Sequence, residues 1–443
     1  MASFRMDRGF LRNIFLTGVG AAALQGTLAV VIYPYLSRHL GSREFGYFML
    51  VLSVTNFVIP VFTNAVINSM LRGHKSVEAL RLPGFWLTGL TVVAASGVFI
   101  ATILALIAKP LAVRWEVPVL AIWLPAMAPS AALTMIYYLL RGQLIADLSF
   151  GRRALYDGVY CAGLMTVPIG CSLGILGQWW PLLFSVAPLL AGGSLFLRQL
   201  SRRALRLTGV DKKAVRQIVS PSTIYFFALI AAWMLRMADR WFLGETGIDG
   251  TSIAHYTVAV QAAMLILFPM EQVAGVLTSM FSNVHKLEDI SRRQLRRYFA
   301  SLAAAVAALA IFGPLFGYAY IRLLFGKAYL ELGFPVFLVT LTGMAVYLFQ
   351  MFGRGIILRF RHPWTATAVE TGAAVAGLGM MWLLVGALGP FGAAIGRSIG
   401  FAIIGVAYFA LCQAGLFRRA FFGADRPNIG DGTLVDMQGG RSH

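Results

Sequence analysis

Eighteen consecutive residues without a charge, TVVAASGVFIATILALIA from Thr91 to Ala108, constrain this chain more than any other stretch. A bilayer core about 30 Å thick needs about 20 apolar residues per helix, and comparable runs recur along the sequence. Strict alternation over about ten residues would mark barrel strands, and these runs lack it. With 58% hydrophobic residues, 12% charged residues and a mean hydropathy of +0.75, the chain carries more apolar surface than one soluble core can bury. The predicted fold class is therefore an all-α integral membrane protein of about twelve transmembrane helices. Their expected positions are 14–36, 45–68, 82–108, 117–139, 154–176 and 179–197 in the first half. The second half holds 219–243, 253–283, 298–324, 332–356, 364–387 and 391–417.

The net charge of +19 suggests nucleic acid until its placement is considered. With the N-terminus inside, 28 of the 37 Lys and Arg residues fall on the cytoplasmic side, counting Arg5, Arg8 and Arg12, against six (Arg38, Arg43, Lys109, Arg114, Arg322 and Lys327) in outer loops. This split predicts a multi-pass protein of the inner (plasma) membrane with both termini cytoplasmic and no nucleic-acid partner. The segment 198–217 is the richest in positive charge, and it reads as a topogenic loop that also meets anionic lipid headgroups. It divides the chain into a six-helix bundle over 1–200, a basic linker over 201–218, a second six-helix bundle over 219–422 and a disordered cytoplasmic tail over 423–443.

Chemistry-bearing motifs are sparse. Cys161, Cys171 and Cys412 lie in spans at no ligand spacing, and the six histidines form no metal pair, so no metal or cofactor is expected. P-loop and GxGxxG patterns are missing from the sequence, and a GxSxG elbow between strand and helix is not expected, the two matches GCSLG (170–174) and GRSIG (396–400) lying in apolar spans. The halves show a faint repeat, since a helix ends at Leu-Gly (Leu40-Gly41, Leu243-Gly244), a polar turn follows, and the next helix opens near Tyr47 or Tyr256. Two six-helix halves suit alternating access around a midplane site.

Three stretches carry a resemblance: SREFGYFMLVLSVTNF (42–57), MADRWFLG (237–244) and YIRLLFGKAYLELGFPVF (320–337). They look like the Wzx-type polysaccharide flippases of the MATE-like exporter superfamily, with span count and order similar over about residues 10–420. The resemblance implies two bundles, alternating access, and flipping of an undecaprenyl-pyrophosphate-linked oligosaccharide from cytoplasm to periplasm. Membrane lipids, a polysaccharide polymerase and glycosyltransferases are the implied partners.

Ionisable groups inside spans are costly and mark function by default. Arg236 lies about 20 Å into its span, counted from Thr223 at 1.5 Å per residue. It reads either as a cavity cation or as a structural Arg that pairs with Asp239 or snorkels outward. Arg240 sits close enough to Gly244 to reach the headgroups, and Asp239 neutralises one of the two. In GPFGAAIGRSIGFAIIG (389–405), Gly392, Gly396 and Gly400 form a ridge for close helix approach. Arg397 beside that ridge is a cavity candidate, the plain alternative being an ion pair with a neighbouring helix. Glu271, mid-span, is the candidate for H⁺ or Na⁺ coupling, with a permanent ion pair as its alternative. Asp157 and Glu370 lie near the cytoplasmic end, where solvation accounts for them. Amides add polar stripes: Asn56, Asn64 and Asn68 with Pro60 on one helix face, and Gln261, Gln272 and Asn283 on another. Ser130, Thr134, Tyr137 and Arg141 form a third. The candidate substrate-binding set is thus Arg236, Arg397, Asn56, Asn64, Asn68, Gln261 and Gln272, with Glu271 and Asp239 as candidate ion-coupling groups and no catalytic residue. A drug or cation antiporter is the competing reading; a membrane polymerase or ligase is disfavoured by the short outer loops.

Overall fold

A computed structural model of the chain describes residues 18–20, 22–74, 82–147, 149–201, 212–281, 292–350, 363–414, 416–417 and 421. The described residues contain helices and turns and no strands. The first half comprises α1 (Gly18–Leu40), α2 (Ser42–His74), α3 (Leu82–Arg114), α4 (Leu120–Ala146), α5 (Phe150–Leu164), α6 (Thr166–Ser172) and α7 (Gly177–Ser201). The second comprises α8 (Lys212–Glu245), α9 (Gly250–Phe281), α10 (Leu295–Phe325), α11 (Lys327–Tyr347), α12 (Pro363–Leu388) and α13 (Pro390–Leu411).

Ten of these helices are long and apolar enough to cross a membrane, and α8, bent by 45° between Phe227 and Leu229, makes eleven. The twelfth expected crossing, 154–176, is made by α5 and α6 together, which meet at Met165. Proline at 168 has no N–H to donate to the carbonyl of Leu164, and a helix breaks readily there. Because α4 ends on one face and α7 begins on the other, connectivity forces the broken pair to cross.

Lys213, Arg216, Arg292 and Arg293 are exposed at one end of the bundle, here termed the basic face. The hairpin turns on the opposite face share a device. Each contains a residue at positive φ: Gly41, Glu116, Gly174, Gly247, Gly326 or Gly389. Gly41, Gly326 and Gly389 each join two long helices almost alone. The Leu-Gly echo of the sequence does not survive as a structural repeat. Leu40-Gly41 is a turn, whereas α8 continues through Gly244 to Glu245 and turns at Gly247. Gly244 serves packing, since a Cβ there would lie 3.2 Å from Trp115.

Helix α2 packs along both α8 and α9, and so joins the halves. Toward the opposite face the contacts are close: Gly46 of α2 and Gly250 of α9 each meet the partner helix's backbone where a side chain would stand. Ser37 and Tyr329 hydrogen-bond at 2.6 Å, the Tyr320 hydroxyl donates to the carbonyl of Ala29 at 2.8 Å, and Arg38 donates to that of Leu324 at 2.9 Å. Arg114 and Glu245 form an ion pair at the same end. Farther down, Trp241 donates to Ser53 at 2.9 Å and stacks edge-on against Phe57, and Phe62 meets Phe226. Near the basic face Ser69 donates to the carbonyl of Ile218 at 2.8 Å.

Candidate functional site

Three of the sequence's candidate ionisable groups meet in the second half, about 10 Å below the opposite face at 1.5 Å per residue. Asp239 on α8 is fully buried, and its Oδ2 pairs with Arg397 on α13, itself 1% exposed. The hydroxyl of Tyr256 on α9 donates to the same oxygen at 2.7 Å. Oδ1 accepts from the backbone N–H of Arg240 at 2.9 Å and lies 3.6 Å from the Arg240 guanidinium. Arg240 also donates to Thr257 on α9 at 3.3 Å. Arg397 donates to the carbonyl of Arg236 at 3.0 Å, approaches the sulfur of Met264 and lies over the ring of Phe401. One carboxylate therefore ties α8, α9 and α13 together.

Two expectations change here. Arg240, read as reaching the headgroups, is 7% exposed, because α9 and α13 enclose the end of α8. Arg397 follows the alternative reading, an ion pair with a neighbouring helix. The glycine ridge brings α13 onto α12, as a Cβ on Gly396 would lie 2.5 Å from the backbone nitrogen of Met381. That close approach seals Arg397 from solvent. Arg236 is half-buried, donates to the hydroxyl of Tyr347 on α11 at 2.9 Å and stacks on Trp233.

The amide stripe of α2 occupies the side that faces the other half. Asn64 and Asn68 lie seven and eleven residues beyond Phe57, so they share its face, and Phe57 meets Trp241 of α8. Asn56 and Asn64 are half-buried and Asn68 is exposed. On α9, Gln261 lies eleven residues beyond Gly250, which meets α2, and is half-buried. None of these amides is held by a hydrogen bond among the described residues. Below the closed contacts of Gly46 and Gly250, the facing sides of α2 and α9 thus carry partly accessible amides at membrane depth, where lipid would leave them unsatisfied. Glu271 and Gln272 lie on α9, and their side chains are outside the described set, as are Asn283, residues 202–211 of the linker and the tail from 422.

A second buried carboxylate occupies the first half. Asp157 of α5 is fully buried, accepting from the Tyr137 hydroxyl at 2.6 Å and from Arg141 at 2.9 Å, both on α4. Arg153, one turn earlier on α5, lies 3.7 Å away. Thr134 and Tyr160 meet at 3.3 Å, and Ser130 is buried nearby on α4. Glu370 is 5% exposed and accepts from Tyr408 at 3.0 Å. Solvation therefore accounts for neither Asp157 nor Glu370; both are held inside the bundle by neighbouring helices. The signal that could have found the first cluster was the hairpin, since Arg141 and Asp157 each lie eight residues from Ser149 and so at one depth. Among the described residues no group of three or more His, Cys, Asp or Glu is placed to hold a metal.

The fold recurs in solved transporters. The structure superposes on lipid II flippase MurJ in an inward closed conformation with a TM-score of 0.68, at 14% identity over 94% of this chain and 93% of that one. An inward-facing multidrug resistance MATE family transporter of the MOP superfamily gives 0.61 at 16% identity over 94% and 96%. A MOP superfamily transporter from Pyrococcus furiosus, whose binding pocket is described as of reversed polarity, gives 0.64 at 16% over 93% and 96%. No curated protein sequence matches the chain. Residues 35–333 match the model of a family described as polysaccharide biosynthesis protein, which takes in α2 to α10 and the residues around Asp157 and Asp239. Bundle, broken crossing and family match agree: this chain is a multi-pass membrane protein of the MATE-like transporter fold and belongs to the polysaccharide biosynthesis protein family.

Proposed function

We propose that this protein flips a lipid-linked oligosaccharide, an undecaprenyl-pyrophosphate-bound sugar unit, from the cytoplasmic to the outer leaflet of the inner membrane by alternating access, with both termini cytoplasmic. The observation that carries the reading is the polar seam between the halves: Asn56, Asn64 and Asn68 on α2 and Gln261 on α9, partly accessible and unpartnered within the described residues, with a half-buried cation, Arg236, on α8 beside Tyr347 of α11. Sugar hydroxyls need amide donors and acceptors, a pyrophosphate needs cations, and the polyprenyl tail stays in lipid. The family match supports the same pathway. A polymerase and glycosyltransferases are the proposed partners.

A drug or cation antiporter fits less well. The buried carboxylates Asp157 and Asp239 each face arginines, which leaves little negative potential for a cationic substrate. A polymerase would need extramembrane volume, and described connections such as 115–119, 246–249 and Gly389 are too short to supply it. For coupling, mid-span Glu271 is proposed as the H⁺- or Na⁺-responsive group, and Glu271→Gln with full transport under an ion gradient would end that idea.

The main test uses a strain whose surface polysaccharide depends on this protein. Arg236→Gln, and separately Asn64→Leu with Gln261→Leu, should abolish polysaccharide display while the protein inserts and accumulates normally. Normal display from both variants would overturn the proposal.

A further inference from the structure

We infer that the basic-face end of α4 and α5 is a binding site for a phosphate oxyanion, separate from the seam between the halves. Asp157 is already satisfied by Tyr137 and by Arg141, which pairs with both of its oxygens at 2.7 and 2.9 Å. Arg153 is the surplus cation. It is 8% exposed, its one carboxylate neighbour among the described residues lies 3.7 Å from Nε, and that Nε, like those of Arg141 and Arg397, makes no hydrogen bond within the described residues. Two guanidinium groups against one carboxylate leave about one uncompensated positive charge in a largely desolvated place. Such a charge is costly unless an anion completes it.

The backbone adds donors at the same point. Arg153 stands in the first turn of the 15-residue α5, whose N-cap, Ser149, makes no side-chain capping bond and whose first turn holds no acidic residue. The first amide N–H groups of such a helix are unsatisfied and favour negative charge. Depth selects the ligand class. Arg153 lies about 5 Å inside the start of its helix at 1.5 Å per residue, the level of lipid phosphates in the leaflet on the basic face. A guanidinium fork matches the planar pairs of oxygens on a phosphate.

Two sources offer that group, an anionic phospholipid headgroup and a free or substrate-borne pyrophosphate. Full-length protein in phosphatidylcholine nanodiscs would be titrated with phosphatidylglycerol and, separately, with inorganic pyrophosphate, following the thermal unfolding midpoint; native mass spectrometry of the wild type would read retained lipid. Saturable stabilisation by phosphatidylglycerol, weakened about tenfold or more in Arg153→Gln, unchanged in the exposed neighbour Arg152→Gln and largely restored in Arg153→Lys, supports a lipid phosphate. The same pattern with pyrophosphate alone supports the free group. Equal stabilisation of wild type and Arg153→Gln would overturn the site. If Arg153→Gln does not fold, wild-type protein that retains phosphatidylglycerol no better than phosphatidylcholine and shows no saturable response to pyrophosphate overturns it equally.

Discussion

The two halves bury the same ingredients, an aspartate with two arginines and a tyrosine, and use them differently. In the first half Asp157 draws Tyr137 and Arg141 from α4 and Arg153 from its own helix, near the basic face. In the second half Asp239 gathers Arg240 from its own helix, Tyr256 from α9 and Arg397 from α13, near the opposite face. The first cluster braces a hairpin of two helices, whereas the second pins three, one of them remote in sequence. The comparison teaches that charge count alone does not assign a role. What decides is how many helices would come apart if the carboxylate were removed, and how far each arginine is from water.

The largest effect should separate the two clusters. Asp239→Asn leaves Arg397 and Arg240 buried beside a neutral amide, and a loss of about 3–5 kcal/mol is expected, read as a lower thermal unfolding midpoint in detergent. Asp157→Asn should cost less, because Asp157 ties only α4 to α5 whereas Asp239 holds three helices. Equal losses would break the distinction. Adding Arg397→Gln to Asp239→Asn should recover part of the loss, since the orphaned charge is removed with its partner. An intermediate effect is expected at the helix crossing between the halves. Gly46→Val places a side chain against the backbone of Gly250, with a cost of about 1–3 kcal/mol and reduced transport. The smallest concerns the exposed pair Arg114 and Glu245. Glu245→Gln should leave the unfolding midpoint unchanged within error, because solvent screens such a pair. A large shift would make this pair a closing latch of the opposite face.

Much of this arrangement could be read from the chain. Long uncharged runs located the crossings, and charge placement separated the two faces of the bundle. The depth of each ionisable group was harder to read, because a position near a helix end does not say whether that end is enclosed. Arg240 and Asp239 stand five and six residues from the end of α8 and are buried because α9 and α13 cover them. Asp239 and Tyr256 are equidistant from the 246–249 turn, as Arg141 and Asp157 are from Ser149, so mirror positions across a hairpin were a usable signal. No spacing could have joined Arg397 to Asp239, since 158 residues separate them. The amides were legible as stripes, while their orientation toward the other half needed the packing of α2 on α8 and α9.

The single-residue turns at Gly41, Gly326 and Gly389 have a mechanical consequence. A connection with one residue has no slack, so α1 with α2, α10 with α11 and α12 with α13 are brackets whose arms cannot part at the opposite face. Whatever opens that face must divide the molecule between brackets, along the line where Ser37 meets Tyr329 and Gly46 meets Gly250. The turns thereby leave the protein few joints, and they set in advance where it can come open.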